Sequence, residues 1–167
     1  TNLINAFSII SQNHSNYKLK IYGSGSEKEK LKALCIELNI DNKIQFNEFC
    51  PDVHKQIVNS DIYVLSSDYE GMPNSLLEAM AMGFPVVATD CPSGGPASII
   101  KQGVNGILVK TDDPSSLAEG LDMLIRKEKL KNSIGHQAQT VRDDYNSEKI
   151  FLLWNKFIEN IQERIHE

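Results

Sequence analysis

The stretch IYVLSSDYEGMPNSLLEAMAMGFPVVAT, residues 62–89, holds two short apolar runs on either side of a segment with helical periodicity. The runs at 62–67 and 85–89 are rich in β-branched residues, which is typical of parallel strands buried on both faces. The segment between them stops at Gly83, and glycine is a favourable residue at the end of a helix. A strand, a helix and a strand in this order predict a parallel βαβ unit.

Further strands and helices alternate outward from this unit. Apolar runs at 19–23, 44–49 and 106–110 predict three more strands, and the segments that flank them have helical patterns. Such alternation is typical of a doubly wound parallel sheet, so the predicted fold class is α/β and Rossmann-like. At 167 residues, without an internal repeat or a linker, residues 1–167 are expected to form a single domain.

Composition and charge exclude several classes of function. The net charge is −5 and no long basic run occurs, so nucleic acid is not an expected partner. Every apolar stretch falls short of the roughly 20 residues that a membrane-spanning helix needs. The 3 cysteines lie far apart and form neither a disulfide framework nor a zinc-binding spacing, which favours a reducing compartment.

Three loops rich in Gly, Ser or Pro follow the first, third and fourth predicted strands, at the edge of the sheet where such folds bind ligands. In the first loop, Gly23 and Gly25 lie between a strand and a helix. This arrangement suits a phosphate group, because backbone amides can approach it closely. Lys28 stands where the dinucleotide fingerprint has its third glycine, so an ordinary strand-to-helix turn is an equal alternative.

Two carboxylates, Glu70 and Glu78, flank the start of the helix that follows the third strand. Glu78 has a structural alternative, because Ser75 and Glu78 have the spacing of a capping box in which the serine begins the helix. Glu70 precedes Gly71 and Pro73, and the alternative to a ligand-binding role is that it is a loop carboxylate that contacts only solvent. Taken together, the loop amides and the helix dipole predict an anion site with a hydroxyl acceptor on either side. A diphosphate between a ribose and a hexose fits this pattern, so the predicted ligand is a nucleotide sugar.

The segment at 66–90 resembles the signature of the retaining glycosyltransferases of family 4, whose E-x7-E motif corresponds to Glu70 and Glu78. Further similar segments occur in the family's order through nearly the whole chain: YGSGSEKEKL, NSDIYVLSS, GVNGILVK and DDPSSLAEGLDMLI. The family has the GT-B architecture of two Rossmann-like domains. The resemblance therefore implies that the chain is the C-terminal, nucleotide-sugar-binding half of a GT-B fold.

The resemblance implies a role for each carboxylate of the motif. Glu70 is expected to be the catalytic residue and to accept hydrogen bonds from hydroxyls of the donor sugar. Glu78 is expected to bind the ribose hydroxyls. Four residues are expected to place their backbone around the donor sugar and the distal phosphate: Gly71, Met72, Pro73 and Asn74. Ser75 and Leu76 are expected to offer their amides at the start of the helix.

The same resemblance implies a second group of residues on the nucleoside side. Gly23 and Gly25 are expected beside the phosphate and the nucleoside, and the backbone near Phe49 and Cys50 is expected to meet the base. No metal and no cofactor are implied, and the sequence has no D-x-D motif. Its four histidines are scattered, at His14, His54, His136 and His166.

The function implied is transfer of a hexose, with retention, from a nucleoside diphosphate sugar to a growing glycan, such as a surface or capsular polysaccharide. UDP is favoured as the nucleotide. The expected partners are the nucleotide sugar and, through another domain, the glycan acceptor. The resemblance implies a cytoplasmic protein, at the inner face of the membrane in the full-length enzyme.

Two departures from the family pattern qualify this implication. The Arg and Lys that neutralise the diphosphate precede the segment that matches LINAF at 3–7, so the N-terminal domain, this pair and its strand are expected to be absent from the chain. The chain alone is then expected not to catalyse transfer. In addition, Ser98 stands where many relatives have a Glu, so no carboxylate role is expected there.

Ile150, Trp154, Phe157, Ile161 and Ile165 form an apolar stripe at helical spacing near the end of the chain. Core packing is the expected role of this stripe, and docking on another domain is the alternative. Asp112 and Asp113 precede Pro114, so this pair is predicted to begin a helix.

Three alternatives to a glycosyltransferase remain open at the level of sequence. A UDP-sugar 2-epimerase shares the architecture, although the context of the E-x7-E motif argues against it. A module that binds nucleotide sugars without catalysis is the alternative outside the enzymes. A flavodoxin-like domain would use the same loops for a different phosphate.

Overall fold

The computed structural model describes the backbone of residues 1–166 and the side chains of residues 1–162. Within this range the strands are β1 (Leu19–Tyr22), β2 (Ile44–Asn47), β3 (Tyr63–Leu65), β4 (Val86–Asp90) and β5 (Ile107–Lys110). The helices are α1 (Asn2–Asn13), α2 (Lys28–Glu37), α3 (Val53–Ile57), α4 (Asn74–Met82), α5 (Gly95–Ile99), α6 (Pro114–Arg126), α7 (Glu128–Ala138), α8 (Val141–Asp144) and α9 (Ser147–His166).

The strands pair in parallel throughout, as predicted, but they form two sheets. β1 pairs with β2, and β4 lies between β3 and β5. β1 and β3 are therefore edge strands, and residues of both line a single cavity. The α/β class with parallel strands is confirmed, while the sheet is split at the position between β1 and β3.

Strand β4 shows why the apolar run at 85–89 is continuous rather than alternating. Val86 and Ala88 pack on one face with residues of α4, and Val87 packs on the other face with residues of α1 and α6. All three side chains are fully buried. Because both faces are covered by helices, the first four residues of the strand are buried and only Asp90 at its end is exposed, which is the arrangement of a doubly wound sheet.

The ends of two helices follow the chemistry of their sequence. Gly83 has φ +89 and ends α4, where its amide donates to the Met80 carbonyl at 2.9 Å. Asp113 begins α6, and its side chain accepts a hydrogen bond from the Ser116 amide at 2.9 Å, with Pro114 as the first helical residue. Both predictions for these helix ends are confirmed.

The core packing expected for the apolar stripe of α9 is wrong. The exposed fractions are 60% for Trp154, 56% for Phe157 and 42% for Ile161. Ile150 is half-buried, and the side chain of Ile165 lies outside the described residues. The helical pattern predicted the helix correctly, but a stripe shows only that one face is apolar and not which surface covers it.

Candidate functional site

A cavity of about 840 Å³ lies between β1 and β3. Its walls include apolar side chains from α1 and α6 on one side and from α3 and α4 on the other. Five of the residues predicted from the sequence line it: Gly23, Phe49, Cys50, Ser75 and Glu78. The structure therefore brings the residues predicted for the nucleoside side, Gly23, Phe49 and Cys50, into one cavity with residues of α4, although the two sets are far apart in the sequence.

The other predicted residues lie off the wall of this cavity. They belong to the loop between β3 and α4, to the first turn of α4 and to the loop after β1, namely Glu70, Gly71, Met72, Pro73, Asn74, Leu76 and Gly25. The Met72 side chain is exposed, whereas Pro73 and Leu76 are buried. Leu76 thus contributes its side chain to the core.

The capping box predicted from Ser75 and Glu78 is not formed. Helix α4 begins at Asn74, after Pro73, and no side chain caps its first turn. Ser75 is therefore already the second helical residue, where its hydroxyl cannot act as the cap. The Leu76 amide donates to the Pro73 carbonyl at 3.0 Å, so it is not free for a ligand. Among the described residues, the amides of Asn74 and Ser75 have no backbone partner.

Glu78 instead faces His54 of α3. His54 Nε2 and Glu78 Oε2 are 3.1 Å apart, and the two side chains are 47% and 55% exposed. The imidazole can donate through Nε2 to one carboxylate oxygen, which leaves the other oxygen of Glu78 open to a ligand hydroxyl. His54 also lines the cavity, and the sequence analysis gave it no role because it stands alone in a polar segment.

Tyr63 is a second cavity residue that the sequence analysis missed. Burial raises the pKa of the Tyr63 phenol, contact with the Ser75 hydroxyl lowers it, and the negative charges of Glu78 and Glu70 raise it further. Both carboxylates of the motif therefore act on one phenol, at the first residue of β3. A tyrosine at the second position of the apolar run at 62–67 was the available signal for this residue.

Glu70 lies in the loop between β3 and α4 and is partly exposed. Its backbone contacts the segment that follows β4: the Ser93 hydroxyl donates to the Glu70 carbonyl at 2.6 Å and accepts from the Glu70 amide at 3.3 Å. Ser93 was not identified from the sequence, because it is a single serine in a loop rich in Gly and Pro.

The glycine loop after β1 has one position that requires glycine. Gly23 has φ +136, a region that residues with side chains rarely adopt, and its amide donates to the Asn47 carbonyl at 3.1 Å. At Gly25 a side chain would meet open space. Lys28 pairs with the Glu48 carboxylate, and this ion pair lowers the pKa of Glu48. Phe49, next to it, is 74% exposed.

The arrangement suits an anion that carries hydroxyl groups on both sides. The first amides of α4 and the helix dipole favour negative charge at the start of this helix. Glu70 before the helix and Glu78 in its second turn are hydrogen-bond acceptors. In the described residues, His, Cys, Asp and Glu do not form a group of three or more that could hold a metal ion. The helices found there are also too short or too polar to span a bilayer.

Comparison with known sequences relates the chain to one protein family and to named enzymes. The family described as "Glycosyl transferases group 1" matches residues 1–141. An uncharacterized glycosyltransferase of Haemophilus influenzae is 34% identical over 152 residues, which are 91% of this chain and 43% of the relative. The lipopolysaccharide 1,6-galactosyltransferase of Escherichia coli is 38% identical over 124 residues, 71% of this chain and 34% of the relative. The chain thus spans less than half the length of either relative.

Comparison with solved structures confirms the fold. A crystal structure of a TarM mutant from S. aureus, in complex with fondaparinux, α-GlcNAc-glycerol and UDP, matches with a TM-score of 0.86 at 26% identity. The match covers 93% of this chain and 31% of that chain. The likeness is to the Rossmann-like fold that makes up one half of a GT-B glycosyltransferase.

Proposed function

The chain belongs to the family of glycosyl transferases group 1, and from this premise we propose that it is the C-terminal, donor-binding domain of a retaining glycosyltransferase of family 4. The whole enzyme moves a hexose from a nucleoside diphosphate sugar to a growing glycan of a surface polysaccharide. In this proposal the reaction takes place in the cytoplasm, at the inner face of the membrane.

The observation that carries the proposal is the placement of two carboxylates around the start of α4. Glu70 precedes the helix, Glu78 lies in its second turn, and the amides of Asn74 and Ser75 point away from the helix body without a backbone partner among the described residues. Helix-start amides bind phosphate groups, since the helix dipole and the unpaired donors both favour an anion. Carboxylates on either side accept hydrogen bonds from sugar hydroxyls.

In the proposed complex, the diphosphate lies at the amides of Asn74 and Ser75. Glu78 binds the ribose through the oxygen that His54 does not contact, and the base lies towards Phe49 and Cys50. Glu70 binds hydroxyls of the donor sugar on the opposite side of the diphosphate. Charge develops on the departing diphosphate during transfer, so the helix-start amides would stabilise the transition state as well as the bound donor. The proposal needs no metal and no cofactor.

UDP is the proposed nucleotide, and a surface polysaccharide is the proposed product. TarM, which has a similar fold, was crystallised with UDP. The Escherichia coli relative is a galactosyltransferase that acts on lipopolysaccharide. Because the chain spans less than half of its relatives, the acceptor is proposed to bind to another domain of the whole protein.

Two surfaces of the chain are suited to contact other segments or domains of the whole protein. Edge strands β1 and β3 face a single cavity whose walls are largely apolar, so we propose that a further parallel strand pairs with both edges. The exposed apolar side chains of α9 form a patch of the kind that packs against another domain. In this proposal, α9 docks on the acceptor domain.

Calorimetric titration of the 167-residue chain with UDP, GDP and FMN tests the proposal. We expect weak binding of UDP, with a Kd of about 0.1 to 1 mM, because only one half of the cleft is present. Glu78→Ala should weaken UDP binding by about tenfold or more, since hydrogen bonds to charged groups contribute about 1.5 to 3 kcal/mol. Glu119→Ala, an exposed carboxylate of α6, is the matched control.

Three outcomes would contradict the proposal. Tighter binding of FMN than of UDP would indicate a flavodoxin-like function. Tighter binding of GDP would reject UDP as the nucleotide. Equal UDP affinity of Glu78→Ala and the unchanged chain would reject the ribose role of Glu78.

A further inference from the structure

We propose that Ser93 is a positioning residue for Glu70. In this inference, which rests on the function proposed above, the Ser93 hydroxyl fixes the backbone of Glu70 and thereby the direction of its carboxylate towards the donor sugar. Ser93 is in the segment between β4 and α5, so the support for Glu70 comes from the neighbouring strand rather than from its own loop.

The first evidence is a pair of hydrogen bonds from one hydroxyl to one residue. Ser93 Oγ donates to the Glu70 carbonyl at 2.6 Å and accepts from the Glu70 amide at 3.3 Å. These two bonds hold the peptide groups on both sides of the Glu70 Cα. Since the Cα–Cβ direction follows from these peptide groups, the two bonds also fix where the side chain starts.

The second evidence is that Ser93 is one of three residues whose side chains donate hydrogen bonds to the loop between β3 and α4. Thr89 Oγ1 donates to the Ser67 carbonyl and lies 3.4 Å from the Leu65 carbonyl. Cys91 Sγ donates to the Ser67 carbonyl at 3.1 Å. Thr89 and Cys91 thus both reach the Ser67 carbonyl, and Ser93, in the turn that follows, reaches Glu70 three residues further along the loop.

The third evidence is the close approach of Gly95 to the same backbone. A Cβ atom at Gly95 would lie 2.1 Å from the Gly71 carbonyl oxygen and 2.5 Å from the Glu70 carbonyl oxygen. Gly95 is buried, and its neighbours at these distances are backbone atoms that cannot rotate away. The carbonyls of Glu70 and Gly71 are thus packed directly against the start of α5.

These contacts matter because the loop has no regular structure of its own before Asn74. A carboxylate that orients a substrate must be held to within a fraction of an ångström, and small misplacements cost large factors in rate. Glu78 needs no such support, because it is held by the helix in which it lies. A substitution of Ser93 is therefore expected to change how tightly the sugar part of the donor binds, and not how tightly the nucleotide part binds.

Titrations of the 167-residue chain distinguish an effect on sugar binding from an effect on nucleotide binding. The ligands are UDP, UDP-glucose, UDP-galactose and UDP-N-acetylglucosamine. The quantity of interest is the affinity for the best UDP-sugar divided by the affinity for UDP. The variants are Ser93→Ala, Ser93→Thr, which keeps the hydroxyl, and Ser98→Ala. Ser98 is the matched control, because its hydroxyl donates within its own segment, to the Gly95 carbonyl at 2.7 Å.

We expect Ser93→Ala to lower this ratio by about fivefold, the effect of one or two hydrogen bonds, and to change UDP affinity by less than about twofold. Ser93→Thr and Ser98→Ala should keep the ratio of the unchanged chain. Hydrogen exchange of the free protein provides a second measurement. The Glu70 amide should exchange several-fold faster in Ser93→Ala, because its acceptor is removed.

Two results would overturn the positioning role. The first is a Ser93→Ala protein with an unchanged ratio and unchanged exchange at Glu70. The second is an equal loss of UDP and UDP-sugar affinity, which would indicate a general structural defect. If the unchanged chain binds no nucleotide, or binds UDP and its sugars equally, the proposed function fails instead, and the exchange measurement alone then decides whether Ser93 holds Glu70.

Discussion

Glu70 and Glu78 are two glutamates of one short motif, yet the structure supports them in different ways. Glu78 lies in the second turn of α4, is more than half exposed and contacts one side chain, His54. Glu70 lies in an irregular loop whose carbonyls are bonded to Thr89, Cys91 and Ser93 and packed on Gly95. The position of Glu78 is thus set locally, whereas that of Glu70 depends on a segment more than 20 residues away in the sequence.

Two residues of the same type in one motif can therefore differ in how strongly substitutions elsewhere in the protein affect them. A helix fixes its side chains through its own backbone hydrogen bonds, so the surroundings of Glu78 can change with little effect on its position. A loop without such bonds takes its shape from neighbouring segments. We therefore expect remote substitutions to disturb the Glu70 side of the site far more than the Glu78 side.

The largest effect is expected from Gly95→Ala. The added Cβ would overlap the carbonyl oxygens of Glu70 and Gly71, so the loop must move. We expect loss of the added affinity that a UDP-sugar has over UDP and a decrease of about 1 to 3 kcal/mol in the free energy of unfolding. Titration with UDP and UDP-sugars and urea denaturation measure the two effects.

Gly25→Ala is the stability control for this experiment, because a Cβ at Gly25 meets open space. Its free energy of unfolding should stay within about 0.5 kcal/mol of the unchanged chain. A Gly95→Ala protein with the stability and the UDP-sugar preference of the unchanged chain would show that the loop around Glu70 adapts freely, and the contrast between the two glutamates would disappear.

An intermediate effect is expected from Thr89→Val. The Thr89 side chain is fully buried and donates to the Ser67 carbonyl, so valine keeps the shape but removes the bond. We expect unfolding to become easier by about 1 to 2 kcal/mol and the preference for UDP-sugar over UDP to fall by about twofold. Thr140→Val, at an exposed threonine that bonds only within its own turn, is the control and should change stability by less than about 0.5 kcal/mol. Equal effects of the two substitutions would contradict the role of Thr89 in the loop.

The smallest effect is expected from His54→Ala, which removes the hydrogen-bond partner that the Glu78 side chain has among the described residues. Exposed pairs of this kind contribute about 0 to 1 kcal/mol to stability, so the free energy of unfolding should change by about 1 kcal/mol at most, and UDP affinity by about fivefold at most. The preference for UDP-sugar over UDP should stay the same. A tenfold loss of UDP affinity would show instead that Glu78 also depends on a neighbour, and the two sides of the site would then be alike.

Much of the fold could be predicted because its signals are local. The run at 85–89 does not alternate between apolar and polar residues because both faces of β4 are covered, and this pattern is visible without coordinates. Gly83 and Asp113 mark helix ends through their own backbone and side-chain chemistry. The start of α4 was misplaced because Ser75 and Glu78 have the spacing of a capping box, while Pro73 and Asn74 already begin the helix.

The site could be predicted only in part, for a related reason. The motif that contains Glu70 and Glu78 and the glycines after β1 stand out in the sequence. Ser93, Tyr63 and His54 do not, because each gains its place only when separate strands and helices come together. Ser93 is a single serine in a loop rich in Gly and Pro, so no local pattern distinguishes it.

The parallel α/β fold, the helix that carries Glu78 and the motif that resembles a glycosyltransferase could all be derived from the order of the residues. These features depend on residues within one or two turns or strands of each other, where backbone preferences and periodicity decide. Three further features became visible only in the folded chain: the Glu70 loop packs on Ser93 and Gly95, Glu78 faces His54, and the apolar stripe of α9 is exposed. Each of these features depends on contacts, or on the lack of contacts, with residues far away in the sequence. The residues near each position therefore carry no pattern that predicts it.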